Sequence, residues 1–370
     1  MTEMKRVLIA MSGGVDSSTA ALLLRDQGYN LVGCTMQLWD HSENGTRCCS
    51  LEDVYDARRI ADHLDFPYYL VNLRDEFQNR VIRPFIASYL EGRTPIPCTL
   101  CNTFLKFDTL IEYAIKLGID LVATGHYARI KADPDDGYLL FKGRDSQKDQ
   151  SYYLFELTQA QLSHTLFPVG DFDKPSIRDI ATRGGLLTAG KAESQEICFI
   201  PDGDYPAFIR RHAAEVDPSF LPVLQRYEEP GPIYFRDGTL LGTHSGIYRY
   251  TVGQRRGLRI SHHKPLYVVR LDVEKNSVVV GYKEDVYSRG LVADKVNWLS
   301  RTNPRSPFEA KVKVRANHTE VPAQIRPGPE ESSVTVLFRE PQLAVTPGQA
   351  AVIYESDRVL GGGWITSTIP

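Results

Sequence analysis

The sequence predicts an α/β protein, with an N-terminal doubly wound parallel sheet, a small central domain and a C-terminal β-barrel. Three observations support this. From Arg6 to Thr124 short apolar runs alternate with helical periodicity. After about Ile209 the pattern turns to hairpins, and from about position 290 to short strands punctuated by Pro and Gly. The 370 residues exceed one ordinary core. The implied division is 1–208, 209–288 and 289–370.

Each element follows from local pattern. RVLIAM at 6–11 is an apolar run suited to a buried parallel strand, broken by Gly13 and Gly14. Asp16 onward is helical in period and stops at Gly28. LVGCTMQLW reads as the second strand, about Glu52–Leu64 as a helix and Tyr68–Leu73 as a strand. Helices follow at about Asp75–Leu90 and, after a Pro-rich loop, Thr103–Leu117, with Asp120–Thr124 strand-like. Alternation of this length makes a doubly wound sheet. DPDDG at 133–137 reads as a hairpin loop. GPIYFRDGTLLGTHSG and LYVVRLDVEKNSVVVGY read as hairpins with DG and KN turns, and the remaining strands as a barrel.

No apolar run is long enough to span a membrane and the N-terminus lacks a signal-peptide pattern, so the expected compartment is the cytoplasm. Cys34, Cys48, Cys49, Cys98, Cys101 and Cys198 then suit catalysis or metal binding better than a disulfide framework. Net charge is −3, yet Arg249–Arg326 holds 16 Lys and Arg against 7 Asp and Glu. Such a segment is either a solvated β-domain surface or a phosphate-backbone contact.

SGGVDSS, between a strand and a helix, predicts an anion site. Its glycines let backbone N–H groups converge, and the helix N-terminus adds positive potential. Ser12, Ser17 and Ser18 add donors, while Asp16 either caps the helix or holds Mg²⁺. Neither GxxxxGK[ST] nor GxGxxG is present. The loop resembles that of the N-type ATP pyrophosphatases, which cleave ATP between the α- and β-phosphates.

Cys101 lies in TPIPCTLCNTFLKF, where a helix start would make it nucleophilic and Lys106 would help. Cys198 lies in ESQEICFI, where Glu193 and Glu196 oppose thiolate formation unless they point away. A pair of buried structural thiols is the alternative. SGGVDSS, TPIPCTLCN, LVATGHYAR, KDQSYYLF, ESQEICFI and GIYRYTVGQRRGL together resemble the tRNA-specific 2-thiouridylases of bacteria over nearly the whole chain.

That resemblance implies an adenine-nucleotide α-hydrolase-like first domain with an ATP site at Ala10, Met11, Ser12, Gly13, Gly14, Val15, Asp16, Ser17, Met36 and Gly125. It implies Cys101 as nucleophile and Cys198 as persulfide carrier. Lys148, Asp149 and Gln150 match a tRNA-contacting motif, and Ile96, Pro97 and Cys98 lie beside the target base. The implied reaction is ATP-dependent 2-thiolation of a wobble uridine in the tRNA anticodon loop. The C2 oxygen is adenylated with Mg²⁺, and sulfur from a donor protein then replaces it. A Cys101–Cys198 disulfide follows, or free hydrosulfide attacks instead. Partners are thus tRNA and a sulfur-relay protein, with no membrane.

Two residues depart from the family pattern. Cys98 stands where Asp is common, creating Cys98-x-x-Cys101 with Cys198 as a third thiol, so a [4Fe–4S] cluster is the alternative to persulfide chemistry. Arg315-Ala316 stands where an Arg-Tyr tRNA contact is common, leaving Arg315 and removing an aromatic. His126 is either near the nucleotide or structural. Cys48 and Cys49 read as structural, with an accessory sulfur role as the alternative. Trp39, Tyr152 and Tyr153 stack on bases or fill the core. A small-molecule adenylating ligase and a non-catalytic ATP- or tRNA-binding protein are the competing classes.

Overall fold

The computed structural model describes residues 5–39, 51–192, 197–300, 303–328, 330 and 332–370. Cys48, Cys49, Glu193 and Glu196 lie outside these residues.

The first sheet is parallel throughout and ordered β3-β2-β1-β4-β7. Its strands are β1 (Arg6–Ala10), β2 (Asn30–Gln37), β3 (Tyr68–Asn72), β4 (Leu121–Ala123) and β7 (Thr165–Leu166). Strand order reverses at β1 and β4, which places a ligand crevice at their carboxyl ends. Val7 and Ile9 face one core and Leu8 the other, as buried parallel strands require. Helix α1 (Val15–Asp26) returns the chain from β1, and α2 (Leu51–His63) packs beside it.

The helix expected at about Asp75–Leu90 is a continuous run, Arg74–Phe77, Gln78–Ile82 and Arg83–Leu90, whose middle segment is π-helical. The next helix begins earlier than expected. It starts at Pro97, turns π-helical over Cys101–Thr109 and ends as an α-helix over Leu110–Lys116. Proline at the first helical position reads as loop in the sequence but fits a helix start, since its missing N–H needs no partner there.

The DPDDG loop joins β5 (Ala128–Asp133) to β6 (Gly137–Lys142) as a hairpin. This hairpin belongs to the C-terminal sheet rather than the first one. The central region, expected to be mostly β, opens with helices Tyr205–Val216 and Phe220–Glu228, and the first crosses position 208. The two hairpins then form one sheet: β8 (Gly231–Phe235) with β9 (Leu240–His244), and β10 (Tyr267–Asp272) with β11 (Ser277–Gly281). Asn276 in the KN turn has φ +46, a left-handed conformation that Asn tolerates.

Six strands make the barrel: β12 (Tyr287–Trp298), β13 (Phe308–Lys313), β14 (Val321–Pro327), β15 (Ser333–Leu343), β16 (Ala350–Glu355) and β17 (Arg358–Ile369). Pairing of β12 with both β15 and β17 closes it around Leu291, Val312, Ile325, Val336 and Ile353. Hairpin strand β6 joins outside β17 through Phe141 opposite Arg358.

Candidate active site at the carboxyl edge of the first sheet

The SGGVDSS loop leaves β1 and enters α1 with Gly14 as its N-cap. Gly13 has φ +70, and a Cβ there would collide with the Asp53 backbone of α2, so glycine is required twice over. Ser17 Oγ donates to the Gly14 carbonyl (3.2 Å), and the Ser12 amide donates to Ser17 Oγ (3.2 Å). Ser18 donates to the same carbonyl at 2.9 Å. These bonds shape a cradle before any ligand arrives. Met11, just past β1, and Met36 on β2 are buried, and Thr35 donates to the Met11 carbonyl at 2.6 Å. Ala10 is half-buried at the strand end.

Asp16 does not cap α1. Its carboxylate accepts Lys174 Nζ at 2.7 and 2.8 Å and the Tyr127 hydroxyl at 2.7 Å. Lys174 is buried and its ammonium lies 5.7 Å from the Tyr127 ring centre. A second lysine holds the loop from the other side. Lys191 Nζ donates to the Gly13 carbonyl (3.0 Å) and to Asp53 and Asp56 (2.7 Å each). Burial opposes that ammonium, but its two carboxylate partners outweigh burial and raise its pKa. Sequence reasoning missed both lysines. Neither has a local signal, as they lie 158 and 178 positions from their partners in the loop.

Gly125 follows β4 at the switch point. A Cβ there would stand 2.7 Å from the Ser17 amide nitrogen and 2.8 Å from the Asp16 carbonyl carbon, so its backbone seats directly on the helix start. The next residue points toward Lys106. His126 is buried, with Nδ1 2.7 Å from Thr124 Oγ1 and Nε2 3.5 Å from Lys106 Nζ. Burial first, then the Lys106 charge, hold its pKa well below the usual histidine value, so the ring is neutral. Neutral Nε2 then accepts from Lys106 and Nδ1–H donates to Thr124.

Lys106 also donates to Asn102 Oδ1 (2.9 Å), and Asn102 Nδ2 donates to the Tyr153 carbonyl (3.2 Å). Cys98, not Cys101, occupies the first turn of this helix. The Cys101 amide is already bonded to the Pro97 and Cys98 carbonyls, and its side chain is buried among core residues. The expected helix-terminus activation therefore does not apply to Cys101. Ile96 and Pro97 are buried at the helix start. The Cys98 side chain is open to solvent within a recess walled by protein. Burial and then the nearby Cys198 push its thiol up to about 11, with Lys106 pulling the other way. Tyr153 is pushed up to about 12 by burial and by Cys98. Cys98, Cys198, Lys106 and Tyr153 thus share one electrostatic neighbourhood. Cys198 is exposed, and Phe199 and Ile200 after it are buried anchors. Cys34 is a buried strand residue whose thiol burial pushes to about 12, a packing role.

No three His, Cys, Asp or Glu side chains among the described residues gather to hold a metal ion. The trio Cys98, Cys101 and Cys198 therefore does not present a cluster-binding set.

Lys148, Asp149 and Gln150 of the KDQ motif are each half-buried. Asp149 accepts from the amides of Gly143 and Ser151 (3.1 Å each) and from Ser151 Oγ (3.0 Å). Gln150 Oε1 accepts the Tyr127 amide at 2.9 Å. Lys148 is half-buried in the same turn. Arg315 donates to the Leu343 carbonyl at 3.4 Å on the barrel, and Ala316 packs against the main core. Trp39 lies against Phe77, Phe208 and His212, and Tyr152 is buried, so both serve packing. Tyr153 remains at the thiol recess.

The family model described as the tRNA methyl transferase HUP domain matches residues 5–202. Two companion models match 222–282 (a PRC-barrel domain) and 288–365 (an aminomethyltransferase β-barrel domain). A protein of Geotalea uraniireducens described as the tRNA-specific 2-thiouridylase MnmA is 48% identical over 99% of this chain and 96% of its own. The chain belongs to the tRNA-specific 2-thiouridylase family. Proteins of the same description from Solibacter usitatus and Magnetococcus marinus are 47% and 48% identical, covering 97% and 99% of this chain and 98% and 100% of their own. A solved 4-thiouridine synthetase–RNA complex with bound ATP is a distant likeness, 18% identical with a TM-score of 0.34 over 60% of this chain and 52% of its own. Members of this family have the first-domain fold of ATP-using enzymes, and this chain shares it. Among the described residues no helix is long and apolar enough to cross a membrane.

Proposed function

We propose that this chain is a tRNA-uridine 2-sulfurtransferase that uses ATP to adenylate the C2 oxygen of a wobble uridine and then replaces that oxygen with sulfur. One observation carries the reading. The loop after β4 touches both halves of the chemistry, with Gly125 seated on the phosphate loop and His126 reaching the lysine beside the thiol recess.

In this reading the α-phosphate of ATP lies over Gly125 and the pyrophosphate over the amides of 12–18. The C2 oxygen attacks the α-phosphorus and pyrophosphate leaves. Backbone donors and the α1 N-terminus stabilise charge on the leaving group. Lys106, held by His126 and Asn102, faces the recess and stabilises negative charge on oxygen or sulfur there. The terminal sulfur of a Cys198 persulfide then attacks C2 and AMP leaves. Cys101 thiolate attacks Cys198 Sγ, which breaks the S–S bond and frees the 2-thiouridine. The two thiols leave as a disulfide, and an external dithiol reductant restores them. Anticodon-loop bases leave their stack at low cost, so C2 can reach such a recess.

Mg²⁺ on Asp16 does not fit, because Lys174 occupies both carboxylate oxygens, and no step is routed through it. Nor is one routed through an iron–sulfur cluster, given the thiol geometry. An anaerobic preparation is therefore expected to be colourless and fully active, which an ultraviolet-visible spectrum checks.

The deciding experiment is Cys198→Ser with ATP, tRNA and a persulfide donor. Loss of 2-thiouridine with continued release of pyrophosphate, and with AMP retained on the tRNA, is expected. An unchanged thiouridine yield sinks the reading.

A further inference from the structure

We propose that Lys191 is a positioning residue for the pyrophosphate of ATP, whose ammonium turns the Gly13–Gly14 peptide so that the Gly14 N–H faces the ligand. The inference rests on the ATP site proposed above and adds to it a residue that acts through the backbone. The Gly13 carbonyl accepts Lys191 Nζ at 3.0 Å. A trans peptide is planar, so the N–H of the next residue points the opposite way. Fixing that carbonyl toward Lys191 therefore fixes the Gly14 N–H away from it. Gly14 is the N-cap of α1, where amides converge and the helix end adds positive potential. A charged donor on a carbonyl also polarises the peptide, which makes its N–H a stronger donor to an anion.

The ammonium is itself held in place. Asp53 and Asp56, both on α2, accept it at 2.7 Å each. The backbone around Lys191 is clamped by Arg178, which donates to the carbonyls of Ala189 (2.7 Å) and Lys191 (3.1 Å). Arg178 belongs to the helix Lys174–Arg183, which also sends Lys174 to Asp16. That helix and the segment after it thus hold the phosphate loop twice, once at its glycine turn and once at the start of α1. Two carboxylates more than cancel the charge of Lys191, so direct attraction of phosphate is not its use. Its effect on a polyanion passes through the peptide that it orients.

Lys191→Met removes the donor and keeps the length of the side chain. The full-length variant is compared with the unmodified protein for affinity toward ATP, inorganic pyrophosphate and AMP, and for the amide nitrogen resonance of Gly14 without ligand. ATP and pyrophosphate are expected to bind about tenfold more weakly, the effect of one charge-assisted hydrogen bond. AMP affinity stays within about twofold, because its phosphate lies over Gly125 rather than over the loop amides. The Gly14 resonance moves in the ligand-free variant, since the carbonyl of that peptide has lost its charged donor. Equal weakening of all three ligands, as a general loss of structure would give, overturns the inference, and so does unchanged affinity for ATP and pyrophosphate. An unmoved Gly14 resonance overturns it whatever the affinities, for Lys191 would then grip phosphate itself. Should the unmodified protein bind pyrophosphate but no ATP, the function reading fails, while weaker pyrophosphate binding and a moved resonance in K191M still uphold the role of Lys191.

Discussion

Lys174 and Asp16 form a two-pronged ion pair, 2.7 and 2.8 Å long, between residues 158 positions apart. The pair places an acid in the first turn of the very helix that is to meet a polyanion. Without its lysine, that acid would repel phosphate.

Lys174→Met should therefore weaken ATP binding by about 1–3 kcal/mol, about five- to 150-fold. Lys174→Met combined with Asp16→Asn should recover part of that loss, because the repelling charge goes with its partner. Nucleotide titrations of the single and double variants check this. A double variant no better than K174M would mean that the ammonium itself grips phosphate.

Cys98 should be a thiol at neutral pH and react with iodoacetamide along a profile rising toward about 11. Burial and Cys198 raise that value, and Lys106 lowers it. Removing Cys198 as serine should shift the profile to lower pH, and Lys106→Met should shift it higher. Mass mapping of alkylated Cys98 from pH 7 upward reads both shifts.

His126 should make the first domain acid-sensitive. Burial and Lys106 depress its folded pKa, so the unfolded chain binds a proton at pH values where the folded chain does not. Its contribution is present above the ordinary histidine pKa and is lost as pH falls toward the folded value. Melting temperature should drop more steeply below pH 6.5 in the unmodified protein than in His126→Gln.

Glu156 joins the thiol helix to the barrel. One carboxylate oxygen accepts Trp364 Nε1 of β17 at 2.6 Å and the other Thr103 Oγ1 at 3.0 Å. Glu156→Ala should cost about 1–3 kcal/mol, since two donors at a half-buried joint lose their acceptor. Adding Trp364→Phe should cost less than it does alone, because the bond is already gone. Thermal melts of the four proteins close the cycle.

What was legible in the sequence was local. Gly13 and Gly14 after RVLIAM marked the phosphate loop, because a strand, a turn and a helix start are written in consecutive residues. The KN turn and its flanking strands were readable for the same reason. Where Pro97 opens a helix, its composition imitated a loop, which shifted the helix start and misplaced Cys101 relative to the terminus. Lys174 and Lys191 were illegible, because long-range charge pairing leaves no periodic trace. The destination of the β5–β6 hairpin was hidden too. Its alternation shows that it pairs, not with which sheet.

That hairpin imposes an order on biosynthesis. The ribosome releases Phe141 long before Arg358, the residue it pairs with. Until then, β6 presents an open edge, the kind that recruits stray strands. Three contacts await the same late arrival: the Lys142 amide on the Asp357 carbonyl, Arg129 on Asp357, and Arg358 on Asp136. Closing so long a loop is entropically slow. A nascent chain stalled before β17 would carry every residue of the phosphate loop and the thiol recess, yet lack the strand that covers the β6 edge and bonds Glu156 through Trp364. Delivery of β17 is therefore the step that closes both the barrel and the β6 edge.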